Sequence, residues 1–365
     1  MKWVAQVSEY WPLNRLAHMT DKEMLEVLND NTLSSCPPKG LMPSVGSGLD
    51  SPSDLTQIGI HDLSLLSPSA QPRGRILLVG SGPGHPSLLT LATHKALTKH
   101  ANLVLSDKLV PAAVLKLIPP EVEVRIARKF PGNAEGAQTE MMEAAVEAAK
   151  RGLTVVRLKQ GDPVVYGRAG EEVLYFRSHG YEPLVVPGVS SALAAPTFAG
   201  IPVTQRGVAE SFIVCTGVGR QGKDVKLPGY ERGRTLLILM GVARLPQVLA
   251  ALQEDGEGLK VTSRRDGEAY PSHTPIAIIE RGSMPDQRVI ASTLKNVLAA
   301  LDSVGEQRPP GMIIVGWSVL ALCGQGDMTV LDEGASSKDE DRVRTWLGKN
   351  EWRVTEGLDS GWRYL

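Results

Sequence analysis

From residue 74 onward the chain alternates between two hydrophobic periods. Short, almost wholly apolar runs read as strands: RILLVG (75–80), ANLVLSD (101–107), EVEVRIA (121–127), LTVVRLKQGD (153–162) and YEPLVVPG (181–188). Amphipathic segments between them read as helices. The clearest is TEMMEAAVEAAKRG (139–152), which predicts a helix with Gly152 just past its end. Strands that are apolar on both faces and alternate with helices predict a buried, mostly parallel sheet. After Pro187 the pattern begins again with SFIVCTGV, TLLILMG, TPIAIIERG and PGMIIVGWSV, and predicts a second α/β unit. The boundaries this gives are 74–187 for the first unit and 188–333 for the second.

The flanks follow other rules. In TDKEMLEVLND, Thr20 is an N-cap candidate before an acidic first turn, and Met24, Leu25 and Leu28 share one face, so residues 1–30 are expected to be helical. Residues 31–73 lose all periodicity and fill with Ser, Pro and Gly, the composition of a flexible linker. Residues 334–365 are charged and dotted with Trp, show no core face, and read as an appendage.

Composition narrows the classes. The 365 residues are 42% hydrophobic and 22% charged with a net charge of −1, which is ordinary for a soluble globular protein. That balance gives no electrostatic case for nucleic acid or an anionic membrane as partner. No apolar run is long enough to span a bilayer, and the first residues lack a secretory signal's apolar stretch. Cys36, Cys215 and Cys323 lie far apart, which excludes a thiolate zinc site and favours a reducing, cytoplasmic location.

The candidate chemistry begins in RILLVGSGPGHPSLLTLATHKAL (75–97), a strand, a glycine-rich turn and a helix. A dinucleotide fingerprint needs G-x-G-x-x-G, whereas Gly80, Gly82 and Gly84 give G-x-G-x-G. Pro83 has no N–H to offer a phosphate. Asp107, ending the next strand, could pass for the ribose-binding acid of such a fold. The spacing leaves two stronger readings open: a purely structural tight turn, and a backbone-lined site for another nucleoside-like ligand.

RLKQGDPVVYGRAGEE (157–172) and VVPGVSSALAAPTFAGIPVTQRG (185–207), with VGSGPGHP, SDKLVP and LMG, resemble the tetrapyrrole methylase family in order and spacing, from about 74 to 333. The likeness is to those members that methylate uroporphyrinogen III. It implies the α/β tetrapyrrole methylase fold, two α/β/α subdomains with S-adenosylmethionine and the active site in the cleft between them. The implied reaction carries two methyl groups to C-2 and C-7 of uroporphyrinogen III, giving precorrin-2 for siroheme biosynthesis, with no metal. It also implies a homodimer, and basic side chains for the substrate's carboxylates, with Lys108, Arg128 and Arg206 as candidates. The segments SEYWPL and RLAHMTDKEMLEVL resemble the end of a precorrin-2 dehydrogenase/ferrochelatase module. Its dinucleotide-binding half is absent, as expected for part of a longer fusion.

Carried over residue by residue, the resemblance implies cofactor contacts at Pro83, at Gln160, Gly161, Asp162 and Val165, at Ser190 and Ser191, at Met240 and at Gly282. Gln160 replaces a glycine of the family's turn. Asp162, Ser190 and Ser191 could instead be helix caps, and Met240 an ordinary core residue. Gly282 would permit close backbone approach to the adenosine. Asp107 matches a proton acceptor, and Lys129, in RKFPG where the family has GKRAG, matches a proton donor. Arg168 and Glu171 either pair on one helix face or address the tetrapyrrole, with Arg168 a rival for handling the proton. His85 stands where the family has Asp. Two alternatives remain: a methyltransferase of a later corrin precursor or of diphthine, and a binding or regulatory methylase-like domain that has lost turnover.

Overall fold

The computed structural model describes residues 74–127, 134–253 and 264–364; the expected N-terminal helix and linker, with Arg128 and Lys129, lie outside them. Strands β1 (Arg75–Gly80), β2 (Leu103–Ser106), β3 (Glu123–Ile126), β4 (Thr154–Lys159) and β5 (Leu184–Val186) form one sheet in the order β3-β2-β4-β1-β5. Every pair in it is parallel. Helices α1 (Leu91–Lys95), α2 (Ala112–Leu115), α3 (Ala134–Lys150) and α4 (Ala169–Ser178) cover it. The period-2 rule explains why the strand runs are apolar throughout. Ile76, Leu78, Leu103, Leu105 and Val155 face Met141, Ala145, Val146 and Phe176 of α3 and α4. Leu77, Val79, Val104, Val156 and Leu158 face Leu97 and Val114 on the opposite side. Gly152 takes the left-handed conformation (φ +85°) just beyond α3, as the sequence predicts.

The second sheet holds β6 (Ser211–Thr216), β8 (Arg234–Leu239), β10 (Pro275–Glu280), β11 (Arg288–Thr293), β12 (Gly311–Val315) and β13 (Trp352–Glu356), in the order β13-β11-β10-β12-β8-β6. A small parallel pair, β7 (Leu227–Pro228) with β9 (Arg265–Asp266), stands apart. Here the expectation of a mostly parallel arrangement fails. Only β6 and β8 run parallel, and every other pair is antiparallel. The connection from β10 to β11, residues 281–287, is too short for the helix a parallel crossover needs. Helices α6 (Leu245–Gln253) and α7 (Val297–Ser303) pack on one face through Leu245, Val248, Leu252, Val297 and Leu301. The other face meets Trp317 and Ala195 of α5 (Ser191–Phe198), the helix that follows β5. Among the described residues no helix is long and apolar enough to cross a membrane.

Residues 334–364 are not an appendage. Helix α8 (Asp339–Leu347) buries Trp346 and Leu347 in the same core as Trp317. Arg232 grips both oxygens of Asp339, at 2.7 and 2.6 Å. β13 then pairs antiparallel with β11. The sequence hid this because α8 is otherwise charged and offers the core only Val343, Trp346 and Leu347. Trp346 is 6% exposed, so Trp346→Ala is expected to cost about 3–5 kcal/mol of stability in urea denaturation. A loss within about 0.5 kcal/mol, typical of a surface site, would contradict the docking.

Candidate active site

The strand order sets β1 between β4 and β5, so the turns leaving the three strands emerge side by side. They touch through glycines. A Cβ on Gly80 would lie 2.6 Å from the Gly161 carbonyl oxygen and from the Gly188 nitrogen, and one on Gly188 would lie 2.2 Å from the same oxygen. Gly82 N–H donates to the Gly161 oxygen (3.1 Å), and Gly161 N–H donates back to the Gly82 oxygen (2.9 Å). Ser81 N–H is taken by the Lys159 oxygen at 2.7 Å. The Ser81 and Gly82 donors of the turn are therefore spent within the protein, and Pro83 has none to add, which counts against the dinucleotide reading.

Most of the expected cofactor contacts gather around this junction. Asp162 Oδ1 accepts from Val164 N–H (2.9 Å) and Val165 N–H (3.2 Å), while its Oδ2 accepts from Gly188 N–H (3.1 Å). Asp162 thus ties the β4 and β5 turns together, a role beyond a helix cap. Gln160 Nε2 donates to the Pro83 oxygen at 3.0 Å, so the side chain that replaces a glycine is satisfied inside the protein. Ser190 does cap α5, accepting from Ala192 N–H at 3.2 Å. Gly161 (φ +68°) is open above its Cα, where a Cβ would meet only the Ser191 nitrogen, at 3.8 Å. Gly282 also has a packing reason of its own. Its missing Cβ would fall 2.6 Å from Ala195 Cβ, so the glycine lets α5 pack against the loop after β10.

Backbone strain marks the same rim. Among the described residues, the non-glycines at positive φ are Tyr166 and Arg168 after β4, Met240 after β8, and Arg281 and Ser283 after β10. Such conformations persist where surrounding structure enforces them, commonly at functional sites. Met240 is 50% exposed, so it is not the core residue its composition suggests. Tyr166 Oη donates to the Val214 oxygen of β6 at 3.3 Å, joining the two sheets. Burial, with a smaller contribution from Cys215, raises the Tyr166 phenol above its ordinary pKa and keeps it a donor. The turn after β1 reaches the loop after β10 as well: His85 N–H donates to Ser283 Oγ at 3.2 Å.

Beneath the rim lies a charge network that the sequence reading missed. Arg157 and Lys159 alternate on β4 and point to one face. Arg157 Nη2 donates to Asp107 Oδ1 at 2.6 Å and to Glu172 Oε1 at 3.3 Å. Lys159 Nζ donates to Glu172 Oε1 at 2.6 Å and lies 3.7 Å from Asp107 Oδ2. Arg157 Nε faces Glu172 Oε2 at 3.2 Å, a charge contact without hydrogen-bond geometry. Burial works against the Arg157 charge, but Asp107 and Glu172 outweigh it and hold the guanidinium above its usual pKa. Burial, then Arg157, pushes the Lys159 ammonium below its ordinary value, against the pull of Asp107 and Glu172. The available signal was RLK itself, two cations one side chain apart in a strand otherwise apolar.

Asp107 is the member nearest solvent, with its side chain 13% exposed. Arg168 and Glu171 do pair, at 3.0 and 2.6 Å, half in solvent at the start of α4. That hydrogen bond, more than the opposite charge, raises the Arg168 pKa and lowers that of Glu171. Glu172, one residue on, turns inward to the network, a distinction helix spacing alone does not make. Lys108 and Arg206 are exposed.

A family model described as Tetrapyrrole (Corrin/Porphyrin) Methylases matches residues 75–298. A Schizosaccharomyces pombe protein named probable uroporphyrinogen-III C-methyltransferase is 47% identical over 330 residues, 88% of this chain and 62% of its own length. The uroporphyrinogen-III C-methyltransferase of Saccharomyces cerevisiae is 40% identical over 336 residues, 91% of this chain and 53% of its own length. The chain thus spans only part of the length of these curated relatives. Among solved structures, a Thermus thermophilus uroporphyrin-III C-methyl transferase complexed with S-adenyl homocysteine matches with a TM-score of 0.52 at 34% identity. That match covers 69% of this chain and 96% of the other.

Glu172 neutralises two buried cations at once. Glu172→Ala is expected to cost about 3–5 kcal/mol in denaturant unfolding, the usual penalty for breaking a buried ion pair from one side. A loss below about 1 kcal/mol would mean that water reaches the network.

Proposed function

The chain belongs to the tetrapyrrole (corrin/porphyrin) methylase family, and on that premise we propose that it transfers methyl groups from S-adenosylmethionine to C-2 and C-7 of uroporphyrinogen III, giving precorrin-2. The observation that carries this reading is the convergence of the β1, β4 and β5 turns through glycine backbone, with the loop after β10 joined to them and strained non-glycine residues beside them, above a mostly buried charge network that holds Asp107. The names of the two fungal relatives support the substrate. The neighbour complexed with S-adenyl homocysteine supports the methyl donor.

The residues present fit such a donor. The floor at Gly161 is open, its backbone turned by positive φ, and Val164 and Tyr166 in the same turn, like Met240 after β8, expose apolar surface. Pro83, Gly161, Val165, Ser191 and Met240 would hold the cofactor, whose sulfonium supplies an electrophilic methyl group. What the protein adds is alignment, exclusion of water and removal of the proton that the methylated carbon sheds. Asp107 is suited to that last task. Arg157 fixes its Oδ1, which orients the carboxylate, and the side chain keeps limited contact with solvent. Arg168 is not suited to it, because a guanidinium does not give up its proton in proteins. Its place at the exposed start of α4 suits a clamp on a substrate carboxylate, in exchange for Glu171. Lys108 and Arg206 offer further charge for the same purpose.

We further propose a cytoplasmic homodimer. Exposed Leu91, Leu174 and Leu184 give the first unit apolar surface to cover. Light scattering is expected to return twice the chain mass, and a single-chain mass at micromolar concentration would refute the dimer. The reaction is tested by an anaerobic assay with uroporphyrinogen III and S-adenosylmethionine. Product is expected without NAD. Asp107→Ala is expected to slow turnover by at least about 10²-fold, and Arg168→Ala to raise KM for uroporphyrinogen III by about tenfold, the size of one charge-assisted contact. Near-normal kinetics in both would place the chemistry elsewhere.

A further inference from the structure

Beyond β13 the chain turns back toward the glycine-rich turn after β1. Gly357 N–H donates to the Gln287 oxygen at 2.7 Å, and Asp359 accepts from Gly361 N–H (2.7 Å) and Trp362 N–H (3.1 Å), forming a compact turn. This sets the Trp362 ring against two others. Its centroid is 4.3 Å from that of Phe198 with the planes 33° apart, and 5.6 Å from that of His85 at 63°, edge to face. The His85 ring lies within the roughly 4.5–7 Å range preferred by aromatic pairs, and the Phe198 ring stacks slightly closer than its lower bound.

The three segments that meet there are the ones that shape the cofactor cleft. His85 ends the turn that carries Pro83, and its Nδ1 accepts from Ser87 N–H at 3.3 Å. Phe198 ends α5, whose first residues lie beside Gly161. Gln287 joins the loop after β10 to both: its Oε1 accepts from Ser283 N–H (2.9 Å), and its Nε2 donates to the Phe198 oxygen (3.2 Å). Ser283 Oγ in turn receives His85 N–H. Hydrogen bonds thus link the three segments in series, and the Trp362 ring spans the two ends of the series.

We propose that Trp362 is a positioning residue for S-adenosylmethionine: the C-terminal segment braces the His85 turn and the end of α5 so that Pro83 and Gly161 keep the spacing the cofactor requires. The inference rests on the methyltransferase reading. It also gives a reason for His85, which stands where the family pattern has an acid: the imidazole accepts from Ser87 N–H and in addition has a partner ring in Trp362, which a carboxylate would not pair with.

The test is calorimetric titration of S-adenosylhomocysteine into the full chain, alongside steady-state kinetics with S-adenosylmethionine. Trp362→Ala is expected to weaken binding by about tenfold, the size of one to two aromatic contacts. KM should rise to match while kcat stays within about twofold. Trp362→Phe should restore most of the affinity, and His85→Asp should reproduce the loss without adding to it in the double variant. His85→Asp also serves if Trp362→Ala does not fold. Unchanged affinity in Trp362→Ala or His85→Asp, or a fall in kcat with KM unmoved, would overturn the proposal while leaving the methyltransferase reading intact. Failure of the unsubstituted chain to bind S-adenosylhomocysteine would overturn both.

Discussion

Two cations and two anions sealed beneath the C-terminal ends of β2 and β4 are the constraint from which the site is built. Lys159 belongs to the network through its ammonium, and its carbonyl receives Ser81 N–H, so one residue joins the charge cluster to the glycine-rich turn. Arg157 reaches Asp107 at the end of β2, and Glu172 brings in the first turn of α4. The network is neutral as a whole, but each ion depends on the others because Arg157, Lys159 and Glu172 are cut off from bulk water and Asp107 touches it only slightly. A carboxylate held this way has one accessible orientation. That is what a group meant to meet a single carbon of a large macrocycle needs, since a misplacement of about 1 Å can cost a factor of about 10² in rate.

Above this fixed base the rim is made differently. It consists of backbone brought within contact distance by glycines, and of side chains held on left-handed backbone after β4, β8 and β10. The base is rigid through charge and the rim through the hydrogen bonds and packing of several loops. The strain sits in the loops, where a ligand can help to offset it, rather than in the sheets. Each sheet carries an apolar core on both faces, and the site stands on the two sheets where α5 and contacts between loops join them.

Much of the first unit was legible in the sequence because its central strands β1, β2 and β4 are buried on both faces and α3 is long with clear periodicity. The helix ending at Gly152 and the parallel strands lie where the pattern puts them. The second unit was read less well, since hydrophobic runs report burial and not direction. β11 and β13 went unseen because RVIAST and WRVTE are short and mixed, and gain their stability from pairing rather than from their own composition. In the site, the motif strings located the turns, but not what each side chain does there. Asp162 bridges two turns, Gln160 turns inward, and Gly282 answers to Ala195. Those outcomes depend on neighbours remote in sequence. Arg157, Lys159 and Glu172 were missed for the same reason, since neither their burial nor their partners can be read from spacing.

The placement of β13 also bears on how the molecule avoids its own kind. β11 is nearly all buried and apolar along its middle, Val289, Ile290 and Ala291, and with one side unpaired it would offer a sticky row of backbone donors and acceptors to any passing strand. β13 takes up that row. It replaces the edge with one that is five residues long, that interleaves Arg353, Thr355 and Glu356 with its apolar positions, and that has those three side chains in solvent. The charged segment after residue 333 therefore works as a selvedge, finishing the sheet so that it does not continue into a neighbour and aggregate.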